Sequence, residues 1–107
     1  MATKPKMYLT GQITGLHKKD YTESFNYWKK FFTQKGYKVI SPIDLPHNHK
    51  PEWKEYMKED IKALVDCDLL FAMNNWQDSK GAKLEVEIAK ALDMEIIWED
   101  KIKEYSW

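Results

Sequence analysis

The run Asp68-Leu69-Leu70-Phe71-Ala72-Met73 constrains this chain more than any other segment. A short, near-continuous apolar run has no polar side to show to water, so it belongs in the middle of a parallel sheet covered on both faces. Around it, short apolar runs alternate with segments of helical period. Lys6–Thr10, Tyr37–Ser41 and Met94–Trp98 read as three more strands. The segments after Gly15, from about Pro51 to Asp66, and from about Lys80 to Leu92 read as helices. Strand–helix alternation with short loops predicts βαβ units and one parallel α/β sheet, with a single domain over residues 1–107.

Local signals set the expected boundaries. Asp20 or Thr22 is a candidate cap for the first helix, and Asp20 with Glu23 has capping-box spacing. Tyr21, Phe25, Trp28 and Phe32 recur at spacings of three and four, which predicts one buried face. Gly36 suits the position just past that helix, and Pro51 suits the first turn of the next. Asn74–Ser79 reads as a polar loop, and the tail Glu99–Trp107 has no clear period. Trp28 and Trp53 read most simply as core.

Composition excludes several classes. Lys plus Arg and Asp plus Glu each total 17, so no basic excess exists to hold nucleic acid or a membrane by bulk charge. No apolar run approaches the ~20 residues of a membrane span. Met1–Lys6 has no apolar signal core behind it, and Cys67 is alone, so a cytoplasmic protein without internal disulfides is expected.

Ligands of such sheets bind at the carboxyl ends of the strands. Two carboxylates stand out there. Projection of the third helix puts Leu84, Ile88, Ala91 and Leu92 on one side and Ala82 and Ala89 on the other flank, with Glu85 in the middle of that arc. In the second helix Asp60 falls among Trp53, Tyr56, Met57, Ile61 and Leu64. An inward carboxylate is costly unless paired. Each can be a satisfied structural group; two facing one crevice suit nucleophile and acid/base roles.

Gly11 and Gly15 bracket the loop after the first strand, which lets backbone amides approach an anion. Ser79 is a helix cap or a phosphate contact, followed by Gly81. Trp76, at the site edge, reads equally as core or as a base-stacking platform. His47 and His49 form an H-x-H, but no third His or Cys has suitable spacing, so a solvated loop is expected there rather than a metal.

The pieces occur in an order that resembles the nucleoside 2-deoxyribosyltransferase-like superfamily. The likeness is to its small branch of DUF4406-type domains and deoxynucleoside-monophosphate N-glycosidases. The matching segments are Tyr8-Leu9-Thr10-Gly11-Gln12-Ile13-Thr14-Gly15 and Gly36-Tyr37-Lys38-Val39-Ile40-Ser41-Pro42. Trp53-x-x-Tyr56-Met57-x-x-Asp60-Ile61 follows with Cys67-Asp68, then Trp76-x-x-Ser79-x-Gly81-Ala82-x-x-Glu85-x-x-x-Ala89.

The resemblance implies a three-layer, flavodoxin-like (Rossmann-type) domain with a parallel sheet of four or five strands. It implies cleavage, by hydrolysis or transfer, of the N-glycosidic bond of a deoxynucleoside or its 5′-monophosphate. Glu85 matches the nucleophile, Asp60 the proton-handling Asp, and Tyr8 a Tyr beside the nucleophile. Gly11, Gln12, Ile13, Thr14 and Gly15 match the loop around the sugar or 5′-phosphate, and Ser79 a phosphate contact. No metal or organic cofactor is implied, and a homodimer or larger homo-oligomer is. The departures are Thr14 and Leu16, where the monophosphate hydrolases carry an Arg and a Gly, and Val86-Glu87, where a Gly is usual after the nucleophile. A nucleotide-binding module that senses its ligand without turnover is the alternative reading.

Overall fold

The computed structural model describes residues 3–106. Strands β1 (Lys6–Thr10), β2 (Lys38–Ile40), β3 (Leu69–Ala72) and β4 (Glu95–Trp98) alternate with helices α1 (Lys18–Gln34), α2 (Trp53–Val65) and α3 (Lys80–Ala91). The sheet is all parallel, in the order β2-β1-β3-β4. The architecture is the expected flavodoxin-like one, with four strands. Tyr8 lies opposite Ile40 on one side and Leu70 on the other. The chain turns from β1 to one edge of the sheet and from β3 to the other, so the switch in strand order falls between β1 and β3. A crevice opens beyond their carboxyl ends.

The period of two along a strand decides which layer each residue serves. Met7, Leu9, Leu69, Phe71 and Ile97 face α1 and join Phe25 and Phe32 in one buried cluster. Phe71 packs at 4.7 Å between ring centroids against both Trp28 and Phe32. Losing such a fully buried ring costs roughly 3–5 kcal/mol. Tyr8, Leu70 and Ala72 face the other way, onto Leu64, Val86 and Ala89 of α2 and α3. Thr10 shares the Tyr8 side of β1, and both are buried.

Helix ends follow local chemistry unevenly. α1 closes as Gly36 permits. Gly36 has φ +98°, its amide donates to Thr33, and the Tyr37 amide donates to Phe32. That pattern is a Schellman stop. The start of α1 differs from expectation. It begins at Lys18, before Asp20 and Thr22, with His17 at the cap position and no side-chain cap. Pro51 likewise precedes α2, whose cap residue is Glu52. Asn74–Asp78 and Glu99–Glu104 each wind into 3-10 helix where a loop and an aperiodic tail were expected.

The buried arc of α3 is Ala82, Glu85, Val86 and Ala89. Leu84 is 39% exposed, Leu92 55% exposed, and Ala91 exposed, so the expected arc is rotated. Val86 and Ala89 pack into the cluster that holds Tyr8, Leu70 and Ala72, which leaves Leu84 and Leu92 on the outward side. Glu85 falls inside both arcs and is buried. No helix among the described residues is long and apolar enough to cross a membrane.

Candidate active site

A pocket of about 830 Å³ opens at the switch point. Asp60 of α2 and Glu85 of α3 both line it, with Gly11, Thr14, Ser79 and Gly81. Two carboxyls 25 positions apart in sequence are brought together because α2 and α3 cover the same sheet face.

Glu85 is 5% exposed. Its Oε1 accepts a hydrogen bond from Thr10 Oγ1 at 3.0 Å. Its Oε2 and the hydroxyl of Tyr8 are both buried without a well-formed hydrogen bond, yet the two groups lie close enough for Tyr8 to lower the carboxyl. Burial pushes the Glu85 carboxyl up to about 8, and the Asp60 charge adds to this; Tyr8 and Thr10 pull in the opposite direction. Tyr8 is itself held well above the usual phenol range, first by burial and then by Glu85. Tyr8 and Thr10 thus put two hydroxyls of one side of β1 beside the carboxyl.

Asp60 is 9% exposed, and its Oδ1 has no partner. Burial pushes it up to about 7, and the Glu59 charge adds while His47 and His49 oppose. Polar atoms buried without partners are rare in native proteins. Here Tyr8, Asp60 and Glu85 contribute three of them at one place. The arrangement can accept a polar ligand, attack it with a carboxylate, and give or take a proton.

The glycine loop is built for close approach. A Cβ on Gly11 would meet Met73 Sδ at 2.6 Å and Asn75 Oδ1 at 3.1 Å. Asn75 Oδ1 accepts the Gln12 amide at 3.0 Å, tying the loop to the segment after β3. Gly15 has φ +92°, where a side chain is disfavoured. Ile13 lines the pocket, whereas Gln12 and Gly15 do not. The Gln12 side chain donates to the Thr14 carbonyl instead. Ser79 caps α3, its Oγ accepting the Ala82 amide at 3.1 Å.

Trp76 is placed elsewhere. It packs on Trp98 at 5.5 Å between centroids and lines a separate 280 Å³ pocket, so it is not a wall of the main one. The reverse holds for Trp53. It is 43% exposed, lines the main pocket, and carries the Lys80 ammonium 4.2 Å above its ring. Tyr56 and Met57 line the pocket with it. The spacing 53, 56, 57 and 60 is one helical stripe, so these walls were legible once Asp60 was chosen. Thr10 was legible from its parity with Tyr8. Lys18, Tyr21 and Asn26 of α1 also line the pocket and carried no such signal.

The loop before α2 meets Glu59. The His47 amide donates to Glu59 Oε2 at 2.9 Å, while His47 Nδ1 and His49 Nε2 lie 2.5 and 3.3 Å from Oε1. Burial pushes Glu59 up, but the His47 amide and the two imidazoles outweigh it and leave the carboxyl lowered. His49 is raised, first by its bond to the Lys50 carbonyl and then by Glu59.

A family model described as a domain of unknown function (DUF4406) matches residues 5–98. The chain belongs to the DUF4406 family. Among solved structures, this DUF4406 chain is similar to a 2-deoxyribosyltransferase from the psychrotolerant bacterium Bacillus psychrosaccharolyticus. The TM-score is 0.68 at 18% identity, over 87% of this chain and 70% of that one. It is also similar to a 2-deoxyribosyltransferase from Leishmania mexicana. There the TM-score is 0.67 at 17% identity, over 88% of this chain and 63% of that one, so it spans less than two thirds of the Leishmania protein. No curated protein matches in sequence. At these identities the likeness is one of fold. The DUF4406 chain shares the fold of these two 2-deoxyribosyltransferases.

Proposed function

We propose that this protein cleaves the N-glycosidic bond of a deoxynucleoside or its 5′-monophosphate, by hydrolysis or by transfer to a second base. The observation that carries the reading is the pair of buried carboxyls, Asp60 and Glu85, that line one pocket, with the buried Tyr8 hydroxyl beside Glu85 and not itself lining that pocket. The fold shared with two 2-deoxyribosyltransferases supports it.

In this reading an oxygen of ionised Glu85 bonds to the anomeric carbon as the carbon–nitrogen bond breaks. The base leaves with the bonding pair and takes a proton from Asp60. Water then opens the glycosyl ester and returns a proton to Asp60, or a second base displaces Glu85 from the anomeric carbon and gives its N–H proton to Asp60. Thr10 and Tyr8 orient the carboxylate, and the oxocarbenium-like charge that develops over Glu85 favours its ionised form. Trp53 and Tyr56 offer aromatic faces to the base, and Lys18 and Lys80 offer cations to a 5′-phosphate. Self-association, with a neighbour completing the open side, belongs to the same proposal and is tested by sedimentation.

A non-catalytic binding module is the second reading. It is favoured by the burial of Glu85, which is 5% exposed; this pushes its carboxyl up to about 8 and so favours the neutral form over a nucleophile. Incubation with a panel of deoxynucleosides and 5′-monophosphates, followed by chromatography, separates the two. Free base supports the enzyme. Saturable binding with no free base from any of them rejects it.

A further inference from the structure

The H-x-H of the loop before α2 lacked a third ligand in the sequence, and the fold supplies it. Glu59 comes from α2, ten residues beyond His49, and presents one oxygen to both imidazoles. His47 Nδ1, His49 Nε2 and a Glu59 oxygen all lie within 4.8 Å of one another. We propose that His47, His49 and Glu59 form a binding site for a divalent transition metal of the Zn2+ class, at the rim of the pocket and separate from the Asp60–Glu85 pair.

The donor chemistry fits. Zn2+ takes imidazole nitrogens and carboxylate oxygens at ~2.0–2.2 Å, which sets tetrahedral donors about 3.3 Å apart. The 3.3 Å from His49 Nε2 to Glu59 Oε1 matches that value, and the 2.5 Å from His47 Nδ1 is shorter, so the His47 ring has to swing outward to admit an ion. Three protein donors leave a fourth position for water or another ligand.

Two features beyond proximity point the same way. His49 Nδ1 lies 2.8 Å from the Lys50 carbonyl. A carbonyl can only accept, so Nδ1 carries the proton and the Nε2 of neutral His49 turns its lone pair toward Glu59. Ligating histidines are usually held in this way by a backbone carbonyl or a carboxylate. Glu59 is oriented likewise, because the His47 amide engages Oε2 and leaves Oε1 to the imidazoles.

The rings of His47 and His49 both pack against Tyr56, at 5.1 and 4.6 Å between centroids. Tyr56 and His47 line the main pocket. A bound ion would thus tie the loop to α2 and hold one wall of the pocket in place.

The test is Zn2+ titration of the metal-free full chain against a chromophoric chelator, with Glu59→Gln, His49→Gln and His17→Ala beside wild type. One equivalent per chain is expected for wild type and for His17→Ala. Glu59→Gln and His49→Gln should each weaken binding by more than about a hundredfold, since even the outer partners of a ligand are worth about 10–100-fold. Circular dichroism establishes that the variants fold. If either does not, Co2+ bound to wild type answers alone: intense visible bands of a four- or five-coordinate nitrogen and oxygen site support the proposal. The weak spectrum of hydrated Co2+ overturns it. Absence of stoichiometric Zn2+ binding, or binding that survives Glu59→Gln or His49→Gln, overturns it as well.

Discussion

Thr10 Oγ1 donates to Glu85 Oε1 at 3.0 Å, joining the last residue of β1 to the second turn of α3 inside the protein. The bond holds one oxygen of the carboxyl and leaves the other, Oε2, buried without a well-formed hydrogen bond in a residue that lines the pocket. One oxygen anchored and one available is the arrangement a carboxylate nucleophile needs.

Thr10→Val keeps the shape and removes that donor. Thr10 lowers the Glu85 carboxyl, so the variant should titrate Glu85 at higher pH. With Asp60 acting protonated and Glu85 acting ionised, base release should fall across acid and neutral pH and the alkaline limb should move to higher pH, with a stability loss of about 1 kcal/mol. An unchanged profile would separate Thr10 from the chemistry.

Glu85→Gln and Glu85→Ala should both abolish base release, yet differ in stability. The folded carboxyl titrates near 8 against an ordinary 4.5, so between those values the folded state holds a proton that the unfolded chain has lost. Wild-type stability therefore falls as pH rises from about 4.5 to about 8, by an amount on the order of a few kcal/mol. Glu85→Gln escapes this loss. It should melt near wild type at pH 5 and above wild type at pH 8.5, whereas Glu85→Ala leaves a cavity and melts lower at both. Thermal melts at the two pH values, with base release, check this. A Gln variant that melts lower at pH 8.5 and still releases base would defeat the nucleophile assignment.

Asp60→Asn should slow base release by about 10²–10⁴-fold, the usual worth of a general acid. Asp60 titrates near 7 and acts protonated, while Glu85 titrates near 8 and acts ionised. Wild type should show a bell-shaped profile of kcat/KM with its optimum between those values. The alkaline limb should vanish in Asp60→Asn; persistence of that limb would assign it to another group.

Gly11→Ala drives a methyl to 2.6 Å from Met73 Sδ and 3.1 Å from Met73 Cβ. Met73 is buried, so its movement disturbs the core at the end of β3. A destabilisation of about 1–3 kcal/mol is expected by denaturant titration. The loop held by Asn75 should loosen as well, with faster exchange of the Gln12 amide.

Much of the fold was legible because it rests on local rules. Strand parity sends Met7 and Leu9 to one layer and Tyr8 and Thr10 to the other. Helical period puts Asp60 and Glu85 inward, since each shares a stripe with buried apolar neighbours. Gly36 stops α1 because a left-handed residue is needed there. These are properties of neighbours in the chain, so the chain alone carries them.

Long-range packing decided the rest. Ala82, Val86 and Ala89 rather than Leu84, Ala91 and Leu92 are buried, because the side from which α3 docks on the sheet, and not its own apolar period, chooses the inward face. Trp76 had to meet Trp98 before it could leave the pocket, and the parallel pairing of β3 with β4 brings those two residues together. Glu59 lies on the solvated side of α2 in projection, yet the returning Pro-His-Asn-His loop covers it. The joining of Thr10 to Glu85, 75 positions apart, exists only because β3 lies beside β1 and α3 packs back over both. Period and propensity reach a few residues along the chain, whereas these contacts depend on strand order and on which surfaces can approach.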